Sequence, residues 1–161
     1  MRKRVLTVVG VAALAAAGCG GDSTPDHARP ALTKAQYIAK ADAICVATKR
    51  ATRKYKRKTR ALSPTAPITA LAPILRAGTP EIKKGLDRLR ALPAPKEERA
   101  TLLAFYASRA KTIAIANQVA DAAAKNATAT ATKLIDQSDK LTHEQARLGR
   151  AYGFQHCGGR G

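Results

Sequence analysis

The chain has 161 residues and a formal net charge of +18, with 29 Lys and Arg set against 11 Asp and Glu. It has no Trp, two Phe and four Tyr, and alanine dominates. That length suits one domain, and the absence of long alternating runs of β-branched residues excludes a sheet protein in favour of an all-α fold, since alanine forms helices well and fills a sheet surface poorly.

Arg2, Lys3 and Arg4 open the chain with positive charge, and thirteen uncharged residues follow from Val5 to Ala17. This order predicts an export signal. The run is too short to cross a bilayer, which takes about 20 apolar residues. Small residues Ala16, Ala17 and Gly18 then lead directly to Cys19. A small apolar tetrapeptide ending in Cys resembles the bacterial lipobox, with Ala16 standing where that motif prefers Leu. The resemblance implies lipidation of the Cys19 thiol and cleavage just before it. The alternative is plain secretion after Ala17 or Gly18, with an idle thiol. From Gly20 to Asp26 the chain has the Gly, Pro and polar composition of a linker. Two acyl chains would supply the two signals that stable anchoring requires. The expected organisation is a lipoprotein signal peptide over 1–18, a flexible tether over 19–32, a helical bundle domain over 33–158 and a tail over 159–161. Removal of Arg2, Lys3 and Arg4 with the signal takes the net charge from +18 to +15.

Four helical segments are expected beyond the tether. The first starts near Thr33, a plausible N-cap, and ends near Leu62 ahead of Ser63-Pro64. Its inward stripe is predicted to hold Tyr37, Ala41, Cys45, Thr48, Tyr55 and Thr59, with the basic residues facing outward. The second runs from about Pro67 to Leu92. Because Pro73, Gly78 and Pro80 lie within it, it should be kinked or split; Thr79-Pro80-Glu81 reads as the cap and first residues of a second piece. The third spans about Lys96 to Asn126, with Glu97 and Glu98 at its positive end. Leu102, Leu103, Tyr106, Ile113, Asn117 and Ala120 share one face, whereas Phe105, Ile115 and Val119 lie elsewhere, so this helix should touch more than one neighbour. Asn117 is expected to bond within the core. The fourth covers about Ala129 to Gln155, with Leu134, Leu141, Leu148 and Tyr152 inward and Gly153 near its end. Short connections favour an up-down bundle of about four helices.

Cys19, Cys45 and Cys157 make an odd count, which in an exported protein needs an explanation. If lipid consumes Cys19, Cys45 and Cys157 can form a disulfide, which persists outside the cytosol. The alternative is two buried thiols acting as small apolar residues. An up-down bundle brings the chain ends together, but Cys45 lies about three turns into its helix. The last helix must therefore overrun or fold back at Gly153. The segments ADAIC (Ala41–Cys45), RALPAP (Arg90–Pro95) and ARLGRAYGFQHCG (Ala146–Gly158) resemble those of small actinobacterial exported or lipid-anchored helical proteins, which pair an early Asp-x-x-Cys with a late Gly-containing segment ending in Cys. The resemblance implies a helical, disulfide-tied envelope protein and brings no activity with it.

Catalytic and metal signatures are missing from the sequence. His27, His143 and His156 are scattered, with only His156 beside a cysteine, and no nucleophile elbow or phosphate loop occurs. No catalytic residue, cofactor or metal is expected. The strongest chemical feature is KRATRKYKRKTR, in which Lys49, Arg50, Arg53, Lys54, Lys56, Arg57, Lys58 and Arg60 make eight of twelve residues basic. One reading is a solvated face. The other is a polyanion contact through summed field and counterion release. Export argues against nucleic acid, and Tyr55 alone offers a stacking surface. The expected function is thus a non-catalytic lipoprotein on the outer face of the cell membrane, its basic helix against anionic lipid headgroups or wall polymers. The second expectation is a helical module of the envelope that binds a small ligand or a protein between its helices.

Overall fold

A computed structural model describes residues 30–158. Cys19, the segment 1–18 expected to be a signal peptide, most of the expected tether and the tail over 159–161 lie outside the described residues. Within them the protein is all-helical, with α1 over Lys34–Arg60, α2 over Leu71–Arg90, α3 over Arg99–Ala124 and α4 over Thr128–Tyr152. Each helix packs on the next in sequence, α1 on α2, α2 on α3 and α3 on α4, while α1 and α4 make few direct contacts. The bundle therefore has an open seam between its first and last helices.

Thr33 begins α1 with a capping box. Its hydroxyl accepts from the Gln36 N–H at 3.3 Å, and the Gln36 side chain accepts from the Thr33 N–H at 3.1 Å. Arg57, Lys58 and Arg60 occupy the last turn, where cations complement the exposed carbonyls. Contacts with the bundle begin earlier than expected, inside the segment read as tether: the Leu32 N–H donates to the Pro93 carbonyl at 3.0 Å, and Leu32 packs on the core.

The second segment is indeed made of two joined pieces, but the joint is not where the prolines suggested. A 3-10 turn over Ile68–Ala70 runs into α2 at Leu71, and α2 continues through Pro80. Thr79 does not cap a new helix. It is buried, and its hydroxyl donates back to the Leu75 carbonyl at 2.8 Å. Pro80 lies on the exposed side, where water can serve the carbonyl left without a partner. On the opposite face, Gly78 lies so close to Tyr55 that a Cβ there would sit 3.2 Å from the ring. Packing against α1 thus holds the helix together across the proline.

A 3-10 turn over Lys96–Glu98 leads likewise into α3. Glu98 pairs with Lys34 at 2.8 Å, joining the starts of α1 and α3 at one end of the bundle. At its far end α3 stops on Asn126, which takes a left-handed φ of 54°. The Asn126 N–H reaches the Ala123 carbonyl and the Ala127 N–H the Ala122 carbonyl, both at 2.9 Å, the paired bonds of a Schellman termination. The turn into α4 is accordingly short.

The two ends of the bundle are built differently. Near the α3–α4 turn, Val119, Ala120, Ala122, Ala123 and Ala131 pack with small side chains. The other end holds Tyr37, Leu86, Leu89, Leu102, Phe105, Tyr106, Tyr152 and Phe154 around the two cysteines. The Tyr37 and Tyr106 hydroxyls hydrogen-bond each other, and Tyr106 donates to the Leu89 carbonyl at 3.1 Å. This relay satisfies polar atoms that would otherwise be buried without partners. In α3, Phe105, Ile115 and Val119 are buried, whereas Leu103 is 64% exposed. Asn117 is exposed rather than bonded in the core. The reason is the central position of α3, which buries one side against α2 and another against α4.

Candidate functional site

The C-terminal segment is knotted onto α1. Gly153 adopts φ 108° and ends α4, with its N–H on the Arg150 carbonyl at 3.0 Å and the Phe154 N–H on the Gly149 carbonyl at 3.0 Å. A left-handed residue is what a Schellman ending requires, and glycine adopts that conformation without a Cβ penalty. The chain folds back there, and Gly158 then lies over Gly149 so closely that a Cβ on Gly149 would come within 2.7 Å of the Gly158 Cα. This reversal brings Cys157 to Cys45. Their disulfide is formed, with Cα atoms 5.2 Å apart and a sequence separation of 112.

Asp42, one turn before Cys45, completes the knot. Its carboxylate accepts from the backbone N–H groups of Gln155 at 2.9 Å, His156 at 2.7 Å and Cys157 at 3.1 Å. Asp42 is the one acidic residue in α1, and it is buried. No negative side chain therefore remains on α1 to offset its basic half. The three ion pairs of the described residues involve Lys34, Arg76 and Lys83, none of them in the Lys49–Arg60 stretch.

The basic stretch divides into two groups. Lys49, Arg50, Arg53, Lys56, Arg57 and Arg60 line a groove of about 510 Å³ floored by Val46 and Thr52. Lys54 and Lys58 lie outside it, the former with its ammonium 4.9 Å from the centre of the Tyr55 ring. Most of these side chains are exposed, as expected, but Lys49 is half-buried. Thr59, expected inward, is exposed.

Two cavities adjoin this groove. One, of about 280 Å³, is walled by Tyr55, Ile74, Leu75, Gly78, Ile82 and Ala116, with Lys56 and Arg60 at its rim. The other, of about 240 Å³, lies beside the disulfide between α1, α3 and α4, and is lined by Lys49, Lys56, Arg109, Gln145 and His156 together with four threonines. Thr52, Lys56 and Ile82 line both cavities, so the two are neighbours.

Arg109 is the unusual group in this region. Its Nη1 donates to the Cys157 carbonyl at a long 3.4 Å, and its guanidinium stands 5.7 Å from the centre of the Phe105 ring. The Nε is buried without a hydrogen-bond partner among the described residues. Burial pushes the guanidinium below its ordinary range. The same cause pushes the phenols of Tyr37 and Tyr106 up, and that of Tyr152 up to about 12.

Among the described residues no group of three or more His, Cys, Asp or Glu is placed to hold a metal ion, and no helix is long and apolar enough to cross a membrane. Comparison with protein-family models, curated proteins and solved structures finds no match.

Sequence reasoning overlooked Asp42 and Arg109 as functional side chains. For Asp42 the Asp-x-x-Cys spacing was a usable signal, because residues three apart share one helix face. Arg109 stands four residues from both Phe105 and Ile113, which marks a cation on an apolar stripe.

Proposed function

We propose that the protein is a non-catalytic envelope lipoprotein, anchored through Cys19 on the outer face of the cell membrane, whose α1 groove adheres to anionic lipid headgroups or wall polymers. The observation that carries this reading is the groove of six cationic side chains on a helix whose single carboxylate is engaged elsewhere. Basic residues close to an anionic membrane each add about 1 kcal/mol, and that attraction fades with salt. The test pairs localisation with adhesion. Cys19→Ser should release the protein from membranes or leave it unprocessed, and the soluble domain should bind anionic vesicles in a salt-sensitive manner while leaving neutral vesicles unbound. Retention of a normally cleaved Cys19→Ser product at wild-type levels would reject the anchor. Equal binding to both vesicle types would reject adhesion.

A second reading is a small-ligand module. The observation that favours it is the apolar pocket between α1, α2 and α3, which opens beside the groove.

A further inference from the structure

We propose that the two neighbouring cavities, which share Thr52, Lys56 and Ile82, form one binding site for a single-chain anionic amphiphile, with Arg109 anchoring the charged head and the pocket beside Tyr55 taking the tail. This deepens the small-ligand reading and is independent of the Cys19 anchor. The first support is the state of Arg109. Arg109 is half-buried, and the enclosed part of a guanidinium is costly to take out of water unless an anion and hydrogen bonds compensate it. Here one long bond to a carbonyl is its hydrogen bond within the described residues, and its buried Nε has none.

The charge around the cavity points the same way. Its lining holds Lys49, Lys56 and His156 besides Arg109, and no carboxylate. The four threonine hydroxyls already donate to carbonyls of their own helices. Arg109, the two lysines, Gln145 and His156 are thus the donors left for a ligand. A planar guanidinium with Nε and Nη donors suits a carboxylate or phosphate oxygen pair.

The neighbouring pocket is as apolar as this end is cationic. Tyr55, Ile74, Leu75 and Ala116 form its walls, and Ile82 continues into the head region. Volumes of about 280 and 240 Å³ fall, when joined, within the range of roughly 300–1,000 Å³ usual for small-molecule sites. A neutral apolar molecule would leave Arg109 uncompensated, and a bare anion would leave the apolar walls empty.

The test uses the soluble domain with dodecyl phosphate, dodecanoate, dodecyl maltoside and inorganic phosphate, all below micelle-forming concentration, followed by calorimetry. The two anionic amphiphiles should bind at least tenfold more tightly than the maltoside or phosphate alone. Arg109→Gln should reduce that affinity about tenfold, while Lys133→Gln, at an exposed position of α4 outside the groove and the cavities, should leave it within twofold. Ile82→Asp should weaken the amphiphiles through the tail pocket. Should Arg109→Gln fail to fold, Arg109→Lys and Lys49→Gln take its place, each expected to lose at least threefold. Equal binding of charged and neutral amphiphiles would overturn the proposal, as would tight binding of phosphate alone or indifference to every Arg109 and Lys49 change. Absence of salt-sensitive vesicle adhesion while dodecyl phosphate binding persists would strike the adhesion reading and leave this one intact; vesicle adhesion without dodecyl phosphate binding would do the opposite. If anionic vesicles compete with dodecyl phosphate, the head group is drawn from the membrane, and without competition the amphiphile is a free molecule.

Discussion

Replacing Asp42 by Ala should be among the most damaging single changes available in this domain. The carboxylate is 7% exposed and accepts three backbone N–H bonds between 2.7 and 3.1 Å. Hydrogen bonds to a charged group contribute about 1.5–3 kcal/mol each. Full weight for all three would overstate the loss, because Gln155 and His156 are exposed and their amides can turn to water. Cys157 is buried, so its N–H keeps the full desolvation penalty of about 1–3 kcal/mol. A net loss of about 3 kcal/mol follows, or a melting temperature about 10 °C lower for a domain of this size. Asp42→Asn preserves one acceptor oxygen and the volume, and should lose about half as much. Far-UV circular dichroism through thermal and urea unfolding measures both, with the disulfide confirmed intact by thiol titration. A shift below about 2 °C for Asp42→Ala would refute the claim that this carboxylate holds the C-terminal segment.

Cys157→Ser should lower stability by about 5 kcal/mol at most, the chain-entropy value for so long a loop, and reductant should reproduce the loss in the wild type when followed by urea denaturation. Combined with Asp42→Ala it should cost less than the two separate losses, because both changes release the same segment. Tyr152 supplies a pH test. Burial first, then the charge of Glu98, raises its phenol to about 12, so the folded state holds the proton more tightly than the unfolded chain, whose tyrosines titrate near 10. That contribution is complete below about pH 10 and is lost as pH rises toward 12, at a slope approaching 1.4 kcal/mol per pH unit. Tyr152→Phe should flatten the decline in urea midpoint between pH 9.5 and 11.5, and at neutral pH it should cost nothing, since the hydroxyl is buried without a hydrogen-bond partner among the described residues.

The fold was legible wherever a local signal agreed with the packing. Thr33 marked the start of α1 as an N-cap, and of the two routes open to the last helix, overrun or fold-back at Gly153, the structure takes the fold-back, with α4 ending at Tyr152 rather than near Gln155. The misreadings concentrate where tertiary contact overrides a local rule. Pro80 removes a hydrogen bond, yet Gly78 packs on Tyr55 of α1, Thr79 beside it is buried, and the lost bond falls on the solvent side. In α3 no single apolar stripe existed to be read, because both α2 and α4 bury parts of it; Leu103 and Asn117 were placed inward for that reason. Arg109 was overlooked because a cation in a chain with 29 basic residues carries little weight until its burial is known.

The knot and the cavity are one piece of construction. The backbone that Asp42 and the disulfide hold against α1 is also the backbone whose Cys157 carbonyl meets Arg109 and whose His156 lines the charged cavity. In a bundle where α1 and α4 make few direct contacts, this short segment is what joins the two helices across the open seam. A continuous α1–α4 interface would close the seam and bury the space beside Arg109. A seam without the knot would leave a chain of antiparallel helix pairs with little apolar area, as expected for alanine-rich packing. The covalent tie therefore does what core packing does in a closed bundle, and it does so at one end, leaving the rest of α1 free to present its basic groove and the cavities beneath it.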